Sequence, residues 1–274
     1  MLEYKIIGSD PSKEYVLFLH GIGGSVNIFF PQLKSFRKSF NILVVNLPGH
    51  KNSPSVTSYE NGFTFDHVTD EIVEVLDEIG IEKVHVVGIS LGSVVIHKLL
   101  SVVPHRISTA VLGGAITRIN LLEKALLLWG SLLKNVTPHL WLYSLCARIL
   151  MPKNNHKDSR DAFIKEAAQM KREDFLGWYN IVQTVPDTFK HVEAKASHIP
   201  KLYVTGEDDH MFKKDVIKDT HLLTNTNLII LPESGHVVNL DNTDAFNECA
   251  ISFIRSKGEF NPQHIKSHVH SLKS

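Results

Sequence analysis

Three short stretches of this sequence hold the residue types needed for acyl transfer. Gly88-Ile89-Ser90-Leu91-Gly92 sets a serine between glycines, Glu207-Asp208-Asp209 supplies adjacent carboxylates, and His236 follows Gly235 near the end of the chain. A serine alcohol is inert until a neutral imidazole within hydrogen-bond reach takes its proton, and an ionised carboxylate holds that imidazole in the right tautomer. The chemistry expected is therefore attack of Ser90 on an acyl carbon with His236 as base. Spacing alone does not separate the three carboxylates as partners for His236. The flanking glycines suit a strained strand-to-helix turn, where side chains beside the serine would collide with the neighbouring strand and helix.

Groups so far apart in sequence need a scaffold that gathers them. Apolar runs at 15–19, 42–45, 84–87, 109–112, 202–204 and 227–231 predict strands buried on both faces, the pattern of a parallel sheet. Between them, Val68, Ile72, Val75, Leu76 and Ile79 mark one face of a helix that Gly80 would end in a left-handed cap. Leu91, Val94, Val95, Leu99 and Leu100 give a second helix directly after Ser90. A last one follows Thr243 as N-cap, with Ala245, Phe246, Cys249, Ile251, Phe253 and Ile254 at its apolar positions. Sites in open parallel sheets gather outside the carboxyl ends of the strands. His20-Gly21-Ile22-Gly23-Gly24, Ser90, the acid cluster and His236 all follow strand-like runs.

The alternation breaks from residue 118 to 189, where the pattern is helical and unusually apolar and includes Trp129, Trp141 and Trp178. Lys124, Lys134, Pro138, His139 and Arg148 interrupt it, whereas a membrane span needs about 20 apolar residues in succession. The expected organisation is a core of 1–117 and 190–257, a helical insertion of 118–189, and a mobile tail of 258–274 whose His264, His268 and His270 lack a supporting metal-ligand cluster. Trp129, Leu140 and Trp141 are expected to line a pocket for a hydrophobic substrate.

Lys+Arg and Asp+Glu both number 29, so no basic field recruits nucleic acid or anionic lipid, and 43% hydrophobic content supports a sizeable core. The partner expected is a small-molecule acyl substrate, with no nucleic acid and no stable membrane insertion. Cys146 and Cys249 have no paired motif, so neither a disulfide framework nor a zinc site is expected and both read as small core residues. No metal and no cofactor are expected. Met1 to Ser9 shows no cationic segment followed by an apolar run, which makes the cytoplasm the expected location.

The chain order serine, acid, histidine occurs together with His20-Gly21-Ile22-Gly23-Gly24, Leu47-Pro48-Gly49-His50, Gly206-Glu207-Asp208-Asp209 and Gly235-His236. On these motifs the sequence resembles the α/β-hydrolase superfamily over residues 16–253. The resemblance implies an α/β-hydrolase fold, a mostly parallel central sheet flanked by helices with a helical cap insertion. It further implies Asp209 as the acid, His236 as the base, and the backbone N–H groups of Ile22 and Leu91 as an oxyanion hole. His20 and His50 are expected to bond loop backbone near the pocket. Two positions depart from the family pattern: Asn46, commonly aspartate, and Lys51, commonly a second glycine, so the loop after the second strand is expected to differ in shape.

A serine stands where dehalogenases and epoxide hydrolases of this fold have aspartate, which implies a carboxylesterase working through an acyl-enzyme. The same triad would serve for a thioester, an enol-lactone, a C–C bond or the pyruvyl elimination of menaquinone synthesis. The enzyme of that last reaction has an arginine shortly after the elbow, where this chain has Ser93-Val94-Val95. A binding protein on this scaffold would generally have lost a triad member, and all three are present.

Overall fold

Six buried apolar runs become six parallel strands within one eight-stranded sheet in the computed structural model, which describes residues 1–134, 136–259 and 270–273. They are β2 (Tyr15–Leu19), β3 (Asn41–Val45), β4 (Val84–Ile89), β5 (Ile107–Gly113), β6 (Lys201–Gly206) and β7 (Thr226–Leu231), with β3, β4 and β6 buried throughout. Short antiparallel strands close the edges, β1 (Tyr4–Ile7) on β3 and β8 (His270–Lys273) on β7. The spatial order is β1-β3-β2-β4-β5-β6-β7-β8. After β2 the chain builds outward to β3, then returns to place β4 on the other side of β2. The β2–β4 junction is therefore where the strand order reverses, the place at which an open sheet leaves a crevice at its carboxyl ends.

Both edge strands differ from the expectation drawn from apolar runs. Half of β1 is exposed, and its YKII sequence has no buried run to mark it. The tail after Gly258, expected to be mobile, contains β8, which pairs Lys273 with Asn227 and His270 with Ile230. Backbone pairing along an open sheet edge depends on main-chain N–H and C=O groups, so hydrophobic periodicity does not announce it. His264 and His268 lie outside the described residues.

The helices of the core are α1 (Phe30–Phe36), α2 (Phe65–Glu78), α3 (Leu91–Val102), and, late in the chain, α10 (Lys213–Thr220), α11 (Val238–Asp241) and α12 (Thr243–Arg255). Thr64 caps α2 by accepting the His67 N–H, its apolar face is buried at Val68, Ile72, Val75 and Leu76, and Gly80 follows with φ 69°. On α12 the cap is Asn242 rather than Thr243: its Oδ1 accepts the Ala245 N–H at 3.4 Å, while the Thr243 hydroxyl donates to Asn239 O. Both are good capping types, and only backbone conformation selects between neighbours.

Between β5 and β6 lie α4 (Leu121–Leu133), α5 (His139–Leu150), α6 (Lys157–Ala167), α7 (Arg172–Ile181), α8 (Val185–Phe189) and α9 (Val192–Ala196). The last two pack against core helix α3. The Ser101 hydroxyl donates to Thr188 O, and the Phe189 ring meets His97 edge-on at 5.0 Å. Residues 185–189, expected in the cap, thus belong to the layer that covers the sheet. Trp178 of α7 is 1% exposed, donates Nε1–H to Pro48 O at 2.8 Å and meets Phe63 edge-on, so it ties the cap to the core instead of lining a pocket. Among the described residues no helix is long and apolar enough to cross a membrane.

Candidate active site

β4 delivers Ser90 into a turn that few L-residues adopt. Its φ of 55° with ψ of −115° lies in a strained region, costing roughly 1–3 kcal/mol that the surrounding structure must offset. Three hydrogen bonds hold the turn: Ser90 N donates to Gly113 O at 2.9 Å, and the Ser93 N–H and hydroxyl both reach Ser90 O. A Cβ on Gly92 would fall onto the carbonyl oxygen of Leu19, which is why the turn can press against β2 only with glycine there.

β6 and β7 deliver the other two groups. His236 Nε2 lies 2.8 Å from Ser90 Oγ, and its Nδ1 lies 2.9 Å from Asp209 Oδ2. The other oxygen of Asp209 accepts the Phe212 N–H at 3.1 Å. Burial pushes the Asp209 carboxyl up, but the neighbouring His236 with its hydrogen bond and the Phe212 N–H outweigh it and hold the group below the usual carboxylate range. An ionised Asp209 accepts Nδ1–H and leaves Nε2 free to accept the Ser90 hydroxyl proton. Of the three adjacent acids the fold thus brings Asp209 to the histidine. Asp208 pairs with Lys153 of the cap at 2.6 Å, and Glu207 is exposed. The end of β5 has no carboxylate for a different reason: a Cβ on Gly114, at φ 52°, would overlap the carbonyl oxygen of His236.

The loop after β2 lies against Ser90, with the position a Gly21 Cβ would take 3.3 Å from Ser90 Cβ. His20 and His50 frame this loop, as expected. His20 donates Nδ1–H to Gly21 O and accepts the Leu47 N–H at Nε2, while His50 donates Nδ1–H to Pro48 O and accepts the Gly23 N–H at Nε2. Burial holds the His20 imidazole well below the ordinary histidine value and lowers His50 to about 4, so both are neutral, as their accepting nitrogens require. Tyr143 of α5 donates its hydroxyl to Ile22 O at 2.8 Å, fixing the peptide whose neighbour carries the Ile22 N–H. Leu91 N–H opens α3, where no earlier helical turn accepts it.

The two departures in the loop after β3 are accommodated. Asn46 accepts the Val26 N–H and donates to Glu3. Lys51 adopts φ 53°, the left-handed conformation that a glycine takes at no cost, and its ammonium bridges to Glu166 of α6 at 2.8 Å. Burial raises the Glu166 carboxyl, but bonds from Lys51, Ser25 and Asn27 outweigh it and lower the group.

An apolar cavity of about 190 Å³ lies between α4, α5 and the loop after β6. Met211 and Phe212 from the acid loop form one wall, with the Phe212 ring 5.2 Å from that of His236. Leu126, Gly130 and Leu133 of α4 face Leu142, Leu145 and Ile149 of α5 across it. Trp129 stands at its margin, 66% exposed, but Leu140 and Trp141 are not in its wall. On α5 the cavity is lined by Leu142, Leu145, Cys146 and Ile149, of which Leu145 and Cys146 also reach solvent, while Trp141 lies off this stripe and is 53% exposed. Cys146 sits on the cavity and is open to solvent, not in the core, whereas Cys249 is buried. The carboxyl in the wall, Glu123, caps α4 by accepting the Asn120 N–H, and burial raises it. Sequence reasoning missed Tyr143, Met211 and Phe212. The last two directly follow the acid cluster, and that adjacency was their available signal.

Among the described residues no cluster of His, Cys, Asp and Glu could hold a metal ion. The α/β hydrolase fold family model matches residues 14–138. A protein of Acinetobacter baylyi bearing the name carbamate hydrolase RutD is 24% identical over 90% of this chain and 96% of its own length. An uncharacterized carboxylesterase, nap, of Bacillus subtilis is 24% identical over 92% of this chain and 83% of its own. The crystal structure of the enol-lactonase from Burkholderia xenovorans superposes with a TM-score of 0.79 at 16% identity, covering 93% and 96% of the two chains.

Proposed function

We propose that this α/β-hydrolase-fold protein is a serine hydrolase that cleaves a carboxylic ester of a small to medium hydrophobic substrate. The observation that carries the reading is the continuous chain from Ser90 Oγ through His236 to Asp209, at 2.8 and 2.9 Å. Ser90 Oγ attacks the ester carbon while His236 Nε2 takes its proton, and ionised Asp209 stabilises the imidazolium without accepting the proton. The tetrahedral oxyanion is held by the N–H groups of Ile22 and Leu91. Collapse passes the His236 proton to the departing alcohol and leaves an acyl group on Ser90. Water, deprotonated by His236, then releases the acid.

The apolar lining of the cavity favours an ester of apolar acyl chain over a carbamate. A dry cavity of about 150 Å³ lined by aliphatic side chains binds benzene, so one of about 190 Å³ suits a short acyl chain or a single ring. The test has two arms. A fluorophosphonate should label the wild type at Ser90 and leave Ser90→Ala unlabelled. A panel of p-nitrophenyl esters from acetate to palmitate, set beside lactones and acyl-thioesters, should show esters with a short apolar chain as the best substrates. Labelling that persists in Ser90→Ala would sink the nucleophile assignment, and a thioester or lactone optimum would move the activity to that class.

A further inference from the structure

The cap turns an apolar face outward as well as inward. On α4, Glu123, Leu126, Leu127, Gly130 and Leu133 face the cavity. Turned away from it are Leu121, Leu128 and Leu132, exposed by 85%, 65% and 68%, with Trp129, 66% exposed, between the two faces. An ordinary surface helix carries polar residues on its solvent side. Val136, Trp141 and Leu145, also exposed, extend this surface over the connection and onto α5. Isolated exposed leucines are commonplace, but a contiguous patch of this kind marks an interaction site. Trp129 and Leu145 belong both to the patch and to the wall of the cavity, so the patch adjoins the cavity.

We propose that the outer face of α4 and α5 docks reversibly on a lipid–water surface. Charge favours lipid as the occupant. Between Leu121 and Leu150 the charged residues are Glu123, Lys124, Lys134 and Arg148; the one acid is buried and committed to capping α4, and Lys134 donates to Asn180 and lies over the Tyr179 ring of α7. The neutral total of the chain conceals this local excess of cations, which suits anionic headgroups. A second copy seated on the same face would set like charges together across a two-fold axis. The exposed indoles of Trp129 and Trp141 match the preference of tryptophan for the headgroup level, and an amphipathic helix with leucines, tryptophan and flanking lysines is the ordinary form of an interfacial anchor. Docking in this orientation sets the cavity beside the lipid, where an acyl chain would enter it from the surface; that second step rests on the serine hydrolase reading, and docking itself does not.

The test uses the full chain and large unilamellar vesicles of phosphatidylcholine, with and without phosphatidylglycerol. Wild type should sediment with the vesicles, more strongly when phosphatidylglycerol is present, with a blue shift of tryptophan emission that Trp129→Phe/Trp141→Phe abolishes while buried Trp178 remains. Leu128→Glu/Leu132→Glu should weaken vesicle binding by about tenfold or more, since each leucine loses its apolar burial, and should leave turnover of a soluble short ester unchanged. Ser90→Ala should bind vesicles like wild type, so inactivity toward every ester would remove the hydrolase reading and leave docking intact. Docking is overturned if wild type stays in the supernatant, if the double glutamate variant binds equally well, or if sedimentation equilibrium shows a dimer that this variant dissolves.

Discussion

The two sides of the cleft are built by different means. On the core side, His20, His50, Ser93 and Asp209 each bond a backbone group, and the geometry of Ser90, Asp209 and His236 is set by strand ends locked in a ladder. On the cap side, Leu126, Leu142 and Ile149 bound the cavity with carbon alone. Hydrogen bonds are directional and penalise small displacements, whereas apolar contact is non-directional and tolerates substitution at similar volume. The core side thus suits fixed chemistry and the cap side suits variable specificity.

The comparison breaks most sharply at Ser90. Ser90→Ala should lower ester turnover by a factor on the order of 10⁶, the scale of losing a nucleophile elsewhere, with the fold intact by circular dichroism. Residual turnover within about tenfold of wild type would show that another group attacks the substrate.

Asp209→Asn should come next, at a cost on the order of 10⁴, because an amide favours the wrong imidazole tautomer. Asp208→Asn, which removes a partner of Lys153 on the cap, should change turnover by only about twofold, since an exposed pair contributes ~1 kcal/mol at most. Steady-state kinetics that ranked the two variants the other way would reassign the acid.

The cap side should respond in specificity, not in chemistry. Each methylene buried in the cavity contributes roughly 0.8 kcal/mol, so kcat/KM should rise about fourfold per acyl carbon until the cavity is full. Ile149→Phe, which puts a larger side chain into the wall, should move the optimum to shorter chains and leave the acetate ester little changed. An acetate optimum unaffected by this substitution would mean that the acyl group lies elsewhere.

The smallest effect concerns the bond between the two regions. Glu166 has its carboxyl lowered on folding, so its contribution is fully present above the unfolded carboxylate value and is lost as pH falls through the lower folded one. Glu166→Gln should lower the melting temperature by roughly 2 °C at pH 7, and the gap to wild type should close below about pH 4. A gap that persisted at acid pH would mean that the Lys51–Glu166 ion pair is not its source.

The strands legible in the sequence were those whose burial on both faces left a continuous apolar run, such as Val84 to Val87. β1 and β8 were not, because edge strands are half exposed or held by main-chain bonds. The elbow was legible for a related reason: the glycines around Ser90 are demanded by a local turn and its close neighbours. Leu140 and Trp141 were misplaced because α5 is apolar over most of its surface, and composition does not say which stripe turns inward.

What the sequence determined by itself was the order of serine, acid and histidine and the strand ends that carry them, since local periodicity fixes where each strand stops. The tertiary structure alone decided that Asp209 reaches His236 while Asp208 reaches the cap, that Met211 and Phe212 wall the cavity, and that α4 shows leucine and tryptophan to the outside. Those outcomes depend on contacts between residues far apart in the chain, and a helix apolar on two faces can be oriented only by what it packs against.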